Sequence, residues 1–462
     1  MKKDFFAFLV IFSFITLFFR QSLTTFFTQD DFILARQFSQ NDILIDLANV
    51  FGPPRVTHWR PIHNAYFFIA GNLFGKNYWG YHLITLILHA LGGFFVFKIF
   101  QKNVSDSRLA LGTSLIYTIH PAHFVSLFWI SGGATVIGFL FLSASFYCYL
   151  NNKKSSAVFL FILSLLASEA MLVGLGLFFA YEILMQRKAL NKILLINFGT
   201  VSLFFLIIKW LLTPKIAFDI YQLEFSPKIL ASIKYYLARI LGFAEVSGDF
   251  LISLVLSVWL FVLIVLFPRS LGKKHAIGIY IFSASVITLG LFPFILIPNH
   301  LSPHYVNIAI FGMTIAVSTT LSRLRIDSHG RCPWSSLSHC TRFARFIVSL
   351  HPRLKSRGLR FLEIKLAYLV IGAFVLIAFY NIQLTINNNW VVKRSKLALD
   401  YIQGIEKKNP DNGSMLTFGD NDISSSYEAY IVLGGGAAIK FWFGDKNYQT
   451  CFTAFEKCDV LP

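Results

Sequence analysis

A chain of 462 residues that is 55% apolar and 17% aromatic, with 14% charged side chains and a mean hydropathy of +0.62, is not a soluble globular protein, which would carry roughly a quarter of its residues charged. The formal charge of +18 does not mark a nucleic-acid binder either, because the excess is local: positions 323–360 hold nine Lys or Arg against one Asp, whereas 387–462 hold eight basic and nine acidic side chains. Basic residues crowded into particular connections are the pattern of cytoplasmic loops between spans, so composition predicts an all-α polytopic membrane protein with no nucleic-acid partner and with membrane lipids around it.

Apolar stretches of about 20 residues cross about 30 Å of hydrocarbon. On that measure eleven transmembrane helices are predicted, near 5–27, 78–100, 108–128, 131–150, 155–168, 170–186, 190–212, 248–267, 276–297, 304–322 and 362–384. The fifth and sixth are short, and one 31-residue tilted helix competes with them. That reading would put the most basic loop outside, so the charge rule favours two crossings. The N-terminus, read as a retained signal anchor because no small-residue cleavage site follows it, is then cytoplasmic and the C-terminus extracytoplasmic. A transmembrane unit at 1–384 and an extracytoplasmic appendage at 385–462 follow.

The external segments carry helices of their own. Ile62 to Phe74 suits an interfacial helix, as does the mixed apolar and basic run after Thr213. In the tail, LALDYIQGIEKK has an amphipathic helical pattern, MLTFGD and YEAYIVLG read as strands, and NPDNG and Gly434 to Gly436 are turn signals. A small α/β appendage results. Cys451 and Cys458 form the one pair suited to a disulfide, provided that segment meets an oxidising compartment.

Residues with chemical potential gather on the outer side. Asp30 and Asp31 directly follow the first span, and neighbours on a helix point about 100° apart. One can therefore face a cavity while the other braces the chain, and limited water access makes a carboxylate a better base. Equally, Asp30 can cap the helix that follows. His58, Trp59, Arg60 and His63 mix donors, acceptors and aromatic surface: Arg60 offers parallel donors to an anionic oxygen, and Trp59 a face for a sugar or an interfacial anchor. A basic turn resting on lipid phosphate is the alternative.

His82 and His89 share a face of the second span with Tyr81 nearby, and ionisable groups there turn toward the bundle interior. His120 and His123 lack a third metal ligand at diagnostic spacing, and with Trp129, Ser131 and Gly132 they read as a constrained connection lining a polar cavity. Glu169, between two short apolar runs, needs a partner or polar pocket. Pro298 to Tyr305 adds Asn299, His300, Ser302 and His304, or is simply a connector shaped by its prolines. Carboxylates alone permit a divalent cation, but no compact ligand set predicts a metal or other cofactor.

Four ordered blocks carry a family likeness: DDF at Asp30 to Phe32, WRPIHNAYFFIAGNLFGKNYWGYHLITLILHAL from Trp59, IHPAHFVSLFWISGGATVIGFLF from Ile119, and SLLASEAMLVGLGLFFAYE from Ser164. Together they resemble the type C glycosyltransferases, in the branch around protein O-mannosyltransferases and related transmembrane proteins with tetratricopeptide tails, although no such repeats are found here. The resemblance implies transfer of a sugar from a polyprenyl-phosphate carrier to a glycan, lipid or protein hydroxyl on the outer leaflet. An acid of the first external loop, Asp30 or Asp31, would act on the acceptor. It also implies that Glu169 matches the acid of a lysine-glutamate element. Here Ser168 precedes it, so the basic contact at that point is absent, and Asn299 and His300 stand where an acidic and arginine-containing connector is usual. A lipid transporter or flippase and a non-catalytic scaffold are the competing readings. The short tail suits a bacterial inner membrane.

Overall fold

The computed structural model describes residues 2–38, 43–52, 58–104, 106–185, 191–212, 221–244, 274–326, 357–420 and 424–458. Hydrocarbon cannot solvate a bare peptide group, so spanning segments close their hydrogen bonds within helices. Among the described residues, seven segments are long and apolar enough to cross a membrane: Lys2–Thr24, Tyr78–Lys102, Ser131–Leu150, Leu195–Leu212, Ile277–Ile295, Pro303–Ser322 and Tyr368–Asn388.

The expected count of eleven is therefore too high. The stretch at 108–128 breaks into α6 (Ser107–Thr118), a 3-10 turn at Pro121–His123 and the short α7 (Phe124–Phe128). The next two short candidates become α9 (Lys154–Ala167) and α10 (Gly174–Leu184), separated by a 3-10 turn at Glu169–Val173. At 1.5 Å per residue, helices of 14 and 11 residues reach only about 21 and 16 Å. Pro121 and the extended Ser168 (φ −158°, ψ 128°) are the interruptions that a hydropathy window averages away. The candidate at 248–267 lies outside the described residues, as does most of the basic stretch at 323–360.

Burial separates an inner layer from an outer one. Helix α8 (Ala134–Leu150) is central, with 78% of its spanning window buried, against 33% for α1 (Lys2–Phe19), 22% for α11 (Lys192–Leu212) and 28% for α13 (Lys274–Ile295). It packs against α5 (Tyr78–Asn103) and α9, while α13 pairs with α14 (Asn307–Ile326). The outer helices turn bulky side chains such as Leu203, Phe204 and Trp210 outward, as lipid contact requires.

The loop between α1 and α5 is helical: α2 (Asp30–Gln37), α3 (Ile43–Phe51) and α4 (Pro61–Phe74). Pro61 occupies the first turn of α4, where its missing amide costs nothing. Asn64 and Trp59 donate to the carbonyls of Val50 and Phe51, at 3.3 Å each, and so tie α3 to α4. The mixed apolar and basic run of the later loop is helical over α12 (Lys228–Ile240).

Beyond α15 (Arg357–Asn388), Asn389 caps α16 (Trp390–Lys408) by accepting the Val391 amide at 2.9 Å. Strand β1 (Met415–Phe418) pairs in parallel with β2 (Gln449–Phe452), from Met415 opposite Gln449 to Phe418 opposite Phe452. Between them lie α17 (Ser426–Val432) and α18 (Ala437–Trp442). The YEAYIVLG stretch is thus a helix and not a strand. Ser425 caps it through the Glu428 amide, and Ser426, Ala429 and Val432 are its buried stripe, a three-residue periodicity that two β-branched residues obscure. Cys451 and Cys458 are disulfide-bonded.

Candidate active site

The turn into α2 is the first determinant of the site. Gln29 adopts φ 54° and ψ −121°, a conformation costly for a residue with a Cβ. It is held from outside: its amide donates to the Val432 carbonyl at 3.1 Å. Gly434 (φ 57°) approaches so closely that a Cβ there would lie 2.7 Å from the Gln29 carbonyl oxygen. Phe27 and Phe441 meet edge to face at 5.7 Å beside this contact. The C-terminal segment and the loop after α1 therefore share one core, and α2 leaves the turn with Asp30 and Asp31 in its first turn.

The two acids then diverge. Asp31 is 1% exposed and accepts three hydrogen bonds, from the Ser131 amide (2.7 Å), the Ser131 hydroxyl (2.6 Å) and the Thr28 amide (3.1 Å). Burial pushes its pKa up to about 7, against those donors. Asp30 instead lines a cavity of about 510 Å³. Its pKa is raised by burial and held back by the Arg60 charge.

Beside Asp30 is a charged cluster assembled from three parts of the chain. Arg60, at the start of α4, clasps Glu169 with two parallel hydrogen bonds, Nε to Oε2 at 2.8 Å and Nη2 to Oε1 at 2.6 Å. Lys209 of α11 reaches Oε2 at 3.2 Å, and His58 Nδ1 reaches Oε1 at 3.2 Å. Although burial works to raise it, these neighbours hold the Glu169 carboxyl well below its usual range. Burial, with the Arg60 charge, lowers His58 to about 3. His58 is thus a neutral N–H donor at pH 7 rather than an ion-pair partner. Arg60 and Lys209 face a single carboxylate, so the cluster has a surplus positive charge at the cavity wall.

The remaining lining divides by polarity. Tyr221 and His300, with ring centroids 4.6 Å apart, complete the polar side together with His63 and Ser131. Leu172, Val173 and Leu175, from the turn before α10 and its start, form an apolar wall with Leu289, Phe292 and Ile297 at the end of α13. Charged and apolar walls thus face the same space. Among the described residues, no group of three or more His, Cys, Asp or Glu is placed to hold a metal ion.

Two solved structures of ArnT from Cupriavidus metallidurans superpose on almost the whole chain. The form bound to undecaprenyl phosphate covers 97% of this chain and 88% of its own, at a TM-score of 0.53 and 13% identity. The chain shares the fold of that protein. The apo form agrees, with a TM-score of 0.51 at 12% identity over 96% of this chain and 89% of its own. A protein O-mannosyl-transferase of Caenorhabditis elegans is 24% identical over 135 residues, which are 28% of this chain and 20% of that protein. The chain thus matches about a fifth of the length of that curated relative. No family model matches.

Within this fold the residues singled out from sequence separate. Asp30, His58, Arg60, His63, Glu169 and His300 line the cavity. Trp59 does not; it packs on Phe205 and donates to the Phe51 carbonyl. His82 is fully buried between the carbonyls of Leu127 and Thr25, at 3.0 Å from each. Asn299 is held outside the cavity by Glu224 and Lys228. Lys209 and Tyr221 were not anticipated. A lysine in the last turn of an apolar span was the available signal for Lys209, since intramembrane charges gather at functional sites. For Tyr221, in an irregular loop, sequence carries no comparable mark.

Proposed function

We propose that this protein transfers a monosaccharide from a polyprenyl-phosphate-linked donor to a hydroxyl acceptor. The reading is carried by one observation: a burial-tuned Asp30, the Arg60–Glu169 pair with Lys209 adding a second positive charge behind Glu169, and an apolar wall meet at one cavity. The lipid-bearing state of the ArnT structure and the name of the nematode relative support the same substrate class.

In this scheme Arg60 and Lys209 bind the donor phosphate, with the neutral His58 N–H at its edge. Glu169 holds both cations in place. Asp30 accepts the proton of the acceptor hydroxyl as its oxygen attacks the anomeric carbon. The new C–O bond forms as the anomeric carbon–phosphate oxygen bond breaks, with inversion, and the electron pair leaves on the polyprenyl phosphate. That leaving group is already anionic, so fixed positive charge serves it better than a proton donor. Asp31 and its three donors orient the first turn of α2.

The chemistry is placed at the outer face of a cell membrane, with a cytoplasmic N-terminus and an extracytoplasmic appendage from about residue 385. A disulfide in that appendage fits an oxidising compartment. Transfer from a lipid-linked donor in membranes carrying Asp30→Asn or Asp31→Asn tests the scheme. A fall of about 100-fold or more is expected for Asp30→Asn, with a smaller fall for Asp31→Asn. Full activity in Asp30→Asn would eliminate this base.

A further inference from the structure

Three polar atoms on the cavity wall are buried yet have no hydrogen-bond partner among the described residues: His63 Nε2, Trp129 Nε1 and Ser168 Oγ. A buried donor or acceptor without a partner is costly and uncommon in a native fold. The three come from separate elements, α4, the connection after α7, and the break between α9 and α10, and all three residues line the cavity that holds Asp30.

Each is held rigidly from behind. The His63 ring stacks parallel to Tyr66 at 6.0 Å and meets Phe67 edge to face at 5.2 Å. The Trp129 indole packs edge to face on Trp390 at 5.5 Å. Ser168, 1% exposed, is fixed by its amide bond to the Ser164 carbonyl at 3.1 Å and by close approach to Gly138, where a Cβ would lie 3.2 Å from its own. Rigid, prepaid donors of this kind suit a ligand with several hydroxyls.

We propose that these three residues form the subsite for the transferred sugar, and that the sugar is a neutral, polyhydroxylated ring whose hydroxyls pair with His63 Nε2, Trp129 Nε1 and Ser168 Oγ. The inference rests on the glycosyl-transfer reading and deepens it. Neutrality follows from the surrounding charges. Glu169 is committed to Arg60 and Lys209, Asp31 to Ser131 and Thr28, and Asp30 faces the acceptor. No carboxylate among the described lining residues remains for a cationic aminosugar. His63 does not supply a charge either, since burial, with the Arg60 charge, keeps its imidazole neutral down to about pH 3.

The test compares binding of undecaprenyl phosphate, undecaprenyl phosphate mannose and an undecaprenyl phosphate aminosugar to the purified full chain, read by native mass spectrometry. The wild type is expected to hold the mannose-bearing lipid about tenfold tighter than the bare lipid phosphate, a step worth about 1.4 kcal/mol. Ser168→Ala and Trp129→Phe each reduce that preference about three- to tenfold and leave affinity for the bare lipid unchanged. Ser168→Ala removes one atom and carries the test should Trp129→Phe not fold. Equal wild-type affinity for the mannose-bearing and bare lipids removes the subsite alone. A preference for the aminosugar removes its neutrality, variants that weaken both lipids alike remove the residue assignment, and binding of neither lipid removes the donor reading together with this one.

Discussion

Glu169 and Glu182 lie at opposite ends of the segment built around α10, and their surroundings differ in kind. Glu182, 3% exposed, accepts the Tyr149 hydroxyl on one oxygen and the Asn191 amide at 3.0 Å on the other. It lies outside the large cavity. Glu169 meets two cations and a neutral imidazole, and it opens onto a space with apolar and polar walls. A buried acid is therefore not in itself a sign of chemistry. What distinguishes the functional end is charge in excess of its local partners, beside room for a ligand.

The largest expected effect breaks that distinction directly. Glu169→Gln leaves Arg60 and Lys209 as uncompensated neighbours, and transfer from a lipid-linked donor should fall about 100-fold or more, since two misplaced cations no longer meet the phosphate. Adding Lys209→Gln restores the local charge and should recover thermal stability but not transfer. Recovery of both would show that Lys209 has no part in donor binding.

A pH profile sharpens the comparison on the acid facing the acceptor. Burial raises the Asp30 pKa, and a base must be deprotonated to act. Activity should therefore be lost on acidification at a higher pH than an ordinary carboxylate near 4 would dictate. The limb in kcat/KM, measured between about pH 4 and 8, should persist in Asp31→Asn. A limb that vanishes in Asp31→Asn would transfer the base to that residue.

The smallest effect on activity belongs to the other end of α10. Glu182→Leu strands the Tyr149 hydroxyl and the Asn191 amide, at a stability cost of about 1–3 kcal/mol, visible as a lower Tm. The kcat of the folded protein should hardly change. A large fall in kcat with unaltered Tm would overturn the division between the two acids.

The loop after α1 shows how far sequence can be read. The helix after Pro61 was legible because proline at a first turn and an apolar stripe are local signals. The partnership of Arg60 with Glu169 was not, since 109 positions separate them. Ser168 reads in sequence as a lost cation. In three dimensions Lys209 supplies a positive charge to the same carboxylate from another helix. Hydropathy likewise could not see that one extended residue at Ser168 and one turn at Pro121 divide apparent spans into shorter helices.

Composition and the period of apolar residues were enough to determine a helical membrane protein, because the energetic need to satisfy backbone groups in hydrocarbon acts on every span independently. The placement of Asp30 against Arg60 and of Asp31 against Ser131 was decided only by tertiary packing. A costly backbone conformation at Gln29, stabilised by a hydrogen bond from its amide to the Val432 carbonyl and by the close approach of Gly434 from the far end of the chain, sets the direction of α2. No window of neighbouring residues contains those partners, so adjacent, chemically identical carboxylates acquire different environments only once the chain has folded.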